Sequence, residues 1–445
     1  MTAPIVEPEV PADIMTRRRA AVLDGLGTGV MVLPAAPVLL RSRDTEFPYR
    51  PDSELFWVTG VVEPGAVAVL VGGAEPRWAL FVPEREPEVE LWSGPVLGPE
   101  GAAARFGPDE THGLSELESR LPDLLQEGDR IHVRLGAHGE RVDRLVVEAL
   151  KTARRKGPRK GSGPRGIVDP GEILDELRLR KDEHEIERIR AAVRLTLEGH
   201  REGIATARPG VGEWAVQAAV DATFRRGGGS GPGFGTIVAA GANAGVLHYV
   251  ANAAVIGESD LVLLDAGAEL ALYQGDVTRT FPVSGRFSPE QRELYDLVER
   301  ARESALAAVR PGATMEGVHR AATRVLVEGL IGLGVLAGDP DALMEAGEHR
   351  AWVPHQTSHW LGLDVHDPGD YARSGASRVL EPGMVFTVEP GLYVPPTSQG
   401  AAASFAGIGV RIEDDVLVTA DGAENLTAGL PTGAEELTEL VRASR

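Results

Sequence analysis

Short apolar runs set between polar and turn-forming residues dominate the first third of the chain, and helical periodicities take over towards its centre. Residues 30–33, 66–71 and 78–82 read as buried strands, with another over 130–135. Helical patterns over 17–26, 114–125 and 142–153 alternate with them, which predicts a three-layer α/β domain ending near residue 170. Asp169-Pro170-Gly171 then punctuates the chain. Beyond it Ile186, Ile189, Ala192, Val193 and Leu197 recur at helical spacing within a charged segment, 175–207, that Pro209-Gly210 stops. Residues 211–226, 291–309 and 315–333 read as further helices and 236–240 as a strand. The domain boundary is therefore placed near residue 175, giving domains 1–175 and 176–445.

One stretch carries chemistry on its strands. Residues 261–281 (LVLLDAGAELALYQGDVTRTF) hold two β-prone runs, and each delivers one aspartate, Asp265 and Asp276, into apolar company. On one continuous strand an odd spacing would put them on opposite faces. If the chain reverses near Leu270, they become cross-strand neighbours on one face. Two buried carboxylates that close repel each other unless something positive lies between them, and a metal ion is the simplest candidate. A solvated hairpin with strand-end aspartates is the alternative.

A second concentration follows. Three of the eleven histidines, His355, His359 and His366, fall within WVPHQTSHWLGLDVHD. Glu389 ends the apolar run of MVFTVEPGLYV, and Glu413 does the same in GIGVRIEDDVLV. Charge inside such strands is expensive to bury unless paired or metal-bound. Arg411 shares a strand face with Glu413, so it can steady the carboxylates or form a structural ion pair. Together Asp265, Asp276, His359, Glu389 and Glu413 supply four carboxylates and one imidazole on strands. That donor set suits two divalent ions such as Mn²⁺, Co²⁺ or Zn²⁺, which could bridge and activate a water for metal-assisted hydrolysis.

Composition narrows the partners more than the chemistry. At 445 residues two domains are the natural expectation. A net charge of −21 argues against nucleic acid or an anionic membrane surface. The absence of cysteine excludes disulfides, thiolate metal sites and a cysteine nucleophile. No apolar run reaches a membrane span, and the acidic, Pro-rich N-terminus precedes its basic cluster, the wrong order for a secretory signal; a cytoplasmic location is expected. The basic run 151–166 reads as a solvated loop rather than an anion site. Residues 227–235 (GGGSGPGFG) fit no nucleotide fingerprint and are read as letting backbone pass close to something.

Five motifs in order, DAG (265–267), GDVTRTF (275–281), SHWLGLDVHD (358–367), VEPGLY (388–393) and RIEDD (411–415), resemble the pita-bread metallopeptidases. The SHWLGLDVHD wording is closer to Xaa-Pro aminopeptidase (aminopeptidase P) than to prolidase or methionine aminopeptidase. The resemblance extends more weakly into YRPDSELFWVTG and ELWSG, which fit a creatinase-like N-terminal domain. It implies an α/β (α+β) chain whose C-terminal domain is a curved antiparallel sheet covered by helices. It further implies two divalent ions, Mn²⁺ first, on Asp265, Asp276, His359, Glu389 and Glu413. By that resemblance Glu389 also shuttles a proton, while His248, His355 and His366 line the substrate cleft and Tyr393 and Arg411 support it. The implied reaction is attack by a metal-bridging hydroxide on the bond between an N-terminal residue and a following proline. A homodimer or homotetramer is also implied, with Trp92 either reaching across a subunit boundary or simply buried. Prolidase, restricted to dipeptides, and a non-catalytic binding protein are the alternatives. Gln356-Thr357 departs from the small pair that relatives often carry after the histidine.

Overall fold

The computed structural model describes residues 5–137, 140–160 and 162–445, and the chain falls into two compact units, one Glu9–Arg178 and the other Leu179–Arg445 together with the residues before Glu9. The first is built on a six-stranded mixed sheet in the order Glu110–Gly113, Arg77–Val82, Val67–Val71, Val30–Pro34, Ile131–His132 and Ile167–Val168. Val67–Val71 and Arg77–Val82 are buried at almost every position, so they read as continuous apolar runs. The strand expected over 130–135 shrinks to Ile131–His132. Trp92 sits on the helix Pro87–Ser93 and is 89% exposed, so it is not an ordinary buried aromatic.

The basic run does not form a loop along its first ten residues. The helix Glu140–Lys160 continues through them. Val142, Leu145, Val146, Ala149 and Ala153 recur every three or four residues and are buried against the sheet's core. That apolar stripe outweighs the Gly-Pro punctuation at 157–158. Residue 161 lies outside the described residues.

The single helix expected over 175–207 is two, Gly171–Leu179 and α1, Glu183–Thr206. Asp182 caps α1: its side chain accepts from Glu185 N–H, and Glu185 reaches back to the Asp182 N–H. A new helix start is therefore written into Asp182-Glu183-His184-Glu185. The second unit adds α2 (Glu213–Arg226), α3 (Pro289–Ala308) and α4 (Met315–Gly332). Its strands β1 (Ile237–Ala240), β2 (Leu261–Ala266) and β3 (Val277–Pro282) form an antiparallel sheet with β2 central. Strands β4 (Val385–Val388) and β7 (Asp414–Val418) pair antiparallel, as do β5 (Gly391–Tyr393) and β6 (Gly409–Arg411). A bridge between Thr278 and Glu413 ties the two strand groups together. No helix among the described residues is long and apolar enough to cross a membrane.

The reversal expected near Leu270 is present. Ala271 and Leu272 take left-handed backbone, with φ of 49° and 71°, between the short strands Ala268–Leu270 and Tyr273–Gln274. Asp265 then faces Thr278 across β2 and β3, and Asp276, two residues before Thr278, is its diagonal neighbour on the same face. Backbone meets backbone here: a Cβ on Gly267 would lie 1.8 Å from the Gly275 carbonyl. The glycine-rich run also passes close to backbone, since a Cβ on Gly229 would lie 2.8 Å from the Glu269 carbonyl oxygen.

Candidate metal centre and substrate cleft

Of the five expected ligands only Asp265 lies inside a strand. Asp276, Glu389 and Glu413 stand at strand ends, and His359 sits in an irregular segment before Trp360, so the expectation of five strand-borne ligands is corrected. Strand ends free these side chains to converge. Trp360 bridges to Phe386, and Thr387 N–H donates to the His359 carbonyl at 2.9 Å, which lays the histidine segment along β4. Lys181, just ahead of α1, donates to Asp367 at 3.0 Å in a buried pair beside His366.

Asp276, His359 and Glu413 each offer a ligand atom, all within 4.8 Å of one another. Glu389 Oε1 lies 3.6 Å from His359 Nε2, and Asp276 Oδ2 lies 3.4 Å from it. His359 Nδ1 donates to the Trp360 carbonyl at 3.1 Å, leaving Nε2 towards the carboxylates. Asp265 stands slightly apart, its Oδ2 accepting from Arg411 Nη2 at 2.6 Å while Oδ1 is buried with no partner among the described residues.

Electrostatically the site is short of positive charge. Burial, reinforced by Asp276, pushes Asp265 up to about 6 against the pull of Arg411. Burial likewise pushes Glu389 up to about 7 and holds Glu413 well above the carboxylate range, with neighbouring carboxylates adding to both. Burial would lower His359, yet Asp276 and Glu389 carry it up to about 9. Crowded buried oxygens, one orphaned, and a ring drawn towards protonation form a donor set that fits divalent cations.

The opposite wall is a relay of hydrogen bonds. Arg411 Nη1 donates to the Tyr393 hydroxyl at 2.8 Å, which lies 2.9 Å from His355 Nε2. The Gln356 carbonyl can only accept, so His355 Nδ1 carries the proton at 2.8 Å and Nε2 accepts from Tyr393. Burial and nearby Arg411 press His355 down to about 4, which keeps it neutral. His366 packs edge-on to His359 with ring centroids 4.5 Å apart. His248 joins both histidines around a cavity of ≈ 520 Å³, with Phe234, Leu247 and Val250 as its apolar side.

Several supporting residues escape sequence reading. Thr278 donates to Glu413 Oε2 at 2.6 Å and accepts from Arg411 Nε at 3.1 Å. Asp415 Oδ2 accepts the Asp276 N–H at 3.0 Å. Its neighbour Asp414 points the other way, onto Arg279 and Arg302 at 2.8 and 2.6 Å. The period-two alternation of a strand could have placed Asp415 on the face of Glu413. Glu213, fully buried at the start of α2, accepts from Ala240 N–H, Asn243, Tyr249 and Ala254 N–H at 2.8 to 3.0 Å. It clamps the base of the segment that carries His248, and no nearby sequence pattern announces that role.

Comparison with known proteins agrees with this geometry. Residues 187–420 match the model of metallopeptidase family M24, and residues 15–133 match the aminopeptidase P N-terminal domain. The chain is 39% identical to an Xaa-Pro aminopeptidase of Escherichia coli (strain K12), covering 98% of this chain and 99% of that one. Its structure is similar to that of Pseudomonas aeruginosa aminopeptidase PepP, with a TM-score of 0.92 at 40% identity over 98% and 99% of the two chains. It is similar, with the same TM-score of 0.92 at 38% identity over 98% and 99%, to zinc-substituted E. coli aminopeptidase P in complex with product. Two strand groups that bring acidic and imidazole side chains together beneath a neutral histidine relay, and a family match over more than half the chain, lead to one conclusion: the protein is a member of metallopeptidase family M24, a hydrolase with an aminopeptidase P N-terminal domain.

Proposed function

We propose that the chain is an Xaa-Pro aminopeptidase, releasing the N-terminal residue from peptides whose second residue is proline. The observation that carries this is the convergence of Asp276, His359 and Glu413 at one end of a cleft walled by His248, His355 and His366. With Asp265 and Glu389 these three would hold two divalent ions, Mn²⁺ first. Bound there, such ions supply Lewis acidity and lower the pKa of a coordinated water.

The protein's own groups do the rest. Glu389, which burial and neighbouring carboxylates raise when no cation is bound, is the group assigned to carry the proton. Proline's nitrogen has no hydrogen, so the leaving group departs only when it gains one, and the Glu389 carboxyl is placed to give it. His355 is fixed as a neutral ring, Nδ1–H towards the Gln356 carbonyl and 3.7 Å from Glu389 Oε2. With Nδ1–H on the Gln356 carbonyl and Nε2 on the Tyr393 hydroxyl, it shapes the cleft wall without adding cationic charge to the pocket. Arg411 holds Asp265 on one side and Tyr393 on the other, so the carboxylates and the histidine wall keep one register. Phe234, Leu247 and Val250 offer an apolar surface suited to a proline ring.

A homodimer or homotetramer in the cytoplasm completes the proposal. Trp92 and Leu91, 89% and 81% exposed, support a subunit contact. The deciding experiment compares Mn²⁺-dependent cleavage of Xaa-Pro-Yaa with that of Xaa-Pro. Release of the first residue from the tripeptide supports the proposal, whereas turnover of the dipeptide alone would indicate a prolidase.

A further inference from the structure

Two more cavities adjoin the cleft, and the chemistry above uses neither. One, ≈ 340 Å³, has Glu316, His319, His349 and Arg350 in its walls. The other, ≈ 460 Å³, runs past Met315, Thr357 and Tyr371. His355 and Gln356 border both the first cavity and the cleft, while Gln356 and Ser358 border both the second cavity and the cleft. Gln356 therefore stands where all three meet.

The walls hold unspent polar capacity. Among the described residues His349 Nδ1 and Ser358 Oγ are buried without a hydrogen-bond partner, and His349 as a whole is only 7% exposed. The side chain of Gln356 is exposed, and among the described residues only its backbone carbonyl is engaged, by His355 Nδ1. A side-chain amide offers two donors and an acceptor, the complement of a peptide N–H and C=O. Glu316 and Arg350 give the first cavity both signs of charge, which suits a polar chain better than an apolar molecule.

Direction follows from the reaction. An enzyme that removes one residue at a time holds a single residue on one side of the broken bond and a chain of any length on the other. Polar space continuing from the cleft is therefore usable only by the leaving part. Resting on the Xaa-Pro reading above, we propose that Gln356 and the two side cavities form the path for the peptide residues that follow the proline. Gln356 hydrogen-bonds their backbone and so sets the preference for peptide length. Gln356, one of the two residues singled out as a departure from relatives, is then a specificity-determining residue.

A substrate ladder tests this: Xaa-Pro-Yaa and the same sequence lengthened by one and by two residues, with Mn²⁺-loaded wild type, Gln356→Ala and Arg350→Ala. We expect the loss of kcat/KM in Gln356→Ala to deepen with length and to reside in KM, reaching about five- to tenfold for the longest peptide. Arg350→Ala, which alters only the first side cavity, should raise KM for the lengthened peptides more than for the tripeptide. Equal losses at every length, or none at any, would overturn the path. Failure of wild type to cleave any rung would overturn the aminopeptidase reading and the path with it, a result distinct from a length-independent loss.

Discussion

The Tyr393 hydroxyl lies 2.9 Å from His355 Nε2 and is the link through which a buried cation reaches the cleft histidine. Arg411 donates to that hydroxyl at 2.8 Å, so the oxygen accepts from the guanidinium and passes its own hydrogen to the ring. Removing the hydroxyl with Tyr393→Phe should leave the fold and the carboxylate cluster in place while freeing His355 to turn. Steady-state kinetics should show kcat reduced roughly tenfold or more, with metal content unchanged. Loss of metal alongside activity would place Tyr393 in the cation site instead.

The carboxylate of Glu213 ties down the segment bearing His248. Four neutral donors converge on it, two backbone N–H groups, an amide and a phenol. Glu213→Ala leaves the buried Ala240 N–H and three part-buried donors without this acceptor, a cost of about 2 kcal/mol. Thermal unfolding should register the loss, and KM should rise because the His248 wall loosens. Unchanged stability would show that the donors find other partners.

Metal binding should depend on a residue that is not itself an expected ligand. Asp415 fixes the Asp276 N–H at 3.0 Å. Asp415→Ala should weaken metal affinity by about 10- to 100-fold, and Asp415→Asn, which keeps an acceptor, should weaken it less. Titration calorimetry separates the two. Equal affinities for wild type and Asp415→Ala would sink the idea.

Much of the site was legible because charge in an apolar run is costly and therefore conspicuous. Asp265, Asp276, Glu389 and Glu413 all drew attention that way. Thr278 did not: a threonine in a strand is ordinary, and its partner Glu413 is 135 residues away. Glu213 looked like a first-turn acid of a helix, a common placement that hides its four bonds. The break before α1 was readable in the spacing of Asp182 and Glu185, but the continuous apolar period masked it. At the basic run the opposite happened, since Gly157 and Pro158 suggested a loop where the helix Glu140–Lys160 continues.

Without metal, stability should fall as pH rises from 7 to 9. His359 is raised from 6.5 to about 9, so the folded protein retains a proton that the unfolded chain has released. That contribution is full below about 6.5 and is lost as pH climbs through 9. Glu389, raised to about 7, and Asp265, raised to about 6, act in the same direction at lower pH. His355, pressed down to about 4, opposes them only below its ordinary value, outside this window. Melting temperatures of the chelated protein should therefore decline between pH 7 and 9, and Mn²⁺ should raise them more at pH 9. A flat profile would contradict the protonated His359.

The most direct measurement is the metal stoichiometry of the purified chain beside that of Glu413→Gln and Asp276→Asn, read by elemental analysis together with tripeptide hydrolysis. We expect two divalent ions per wild-type chain, and loss of metal and activity in both folded variants. Near-wild-type turnover with undiminished metal in either variant would contradict the assignment of these side chains as the ones that grip the ions.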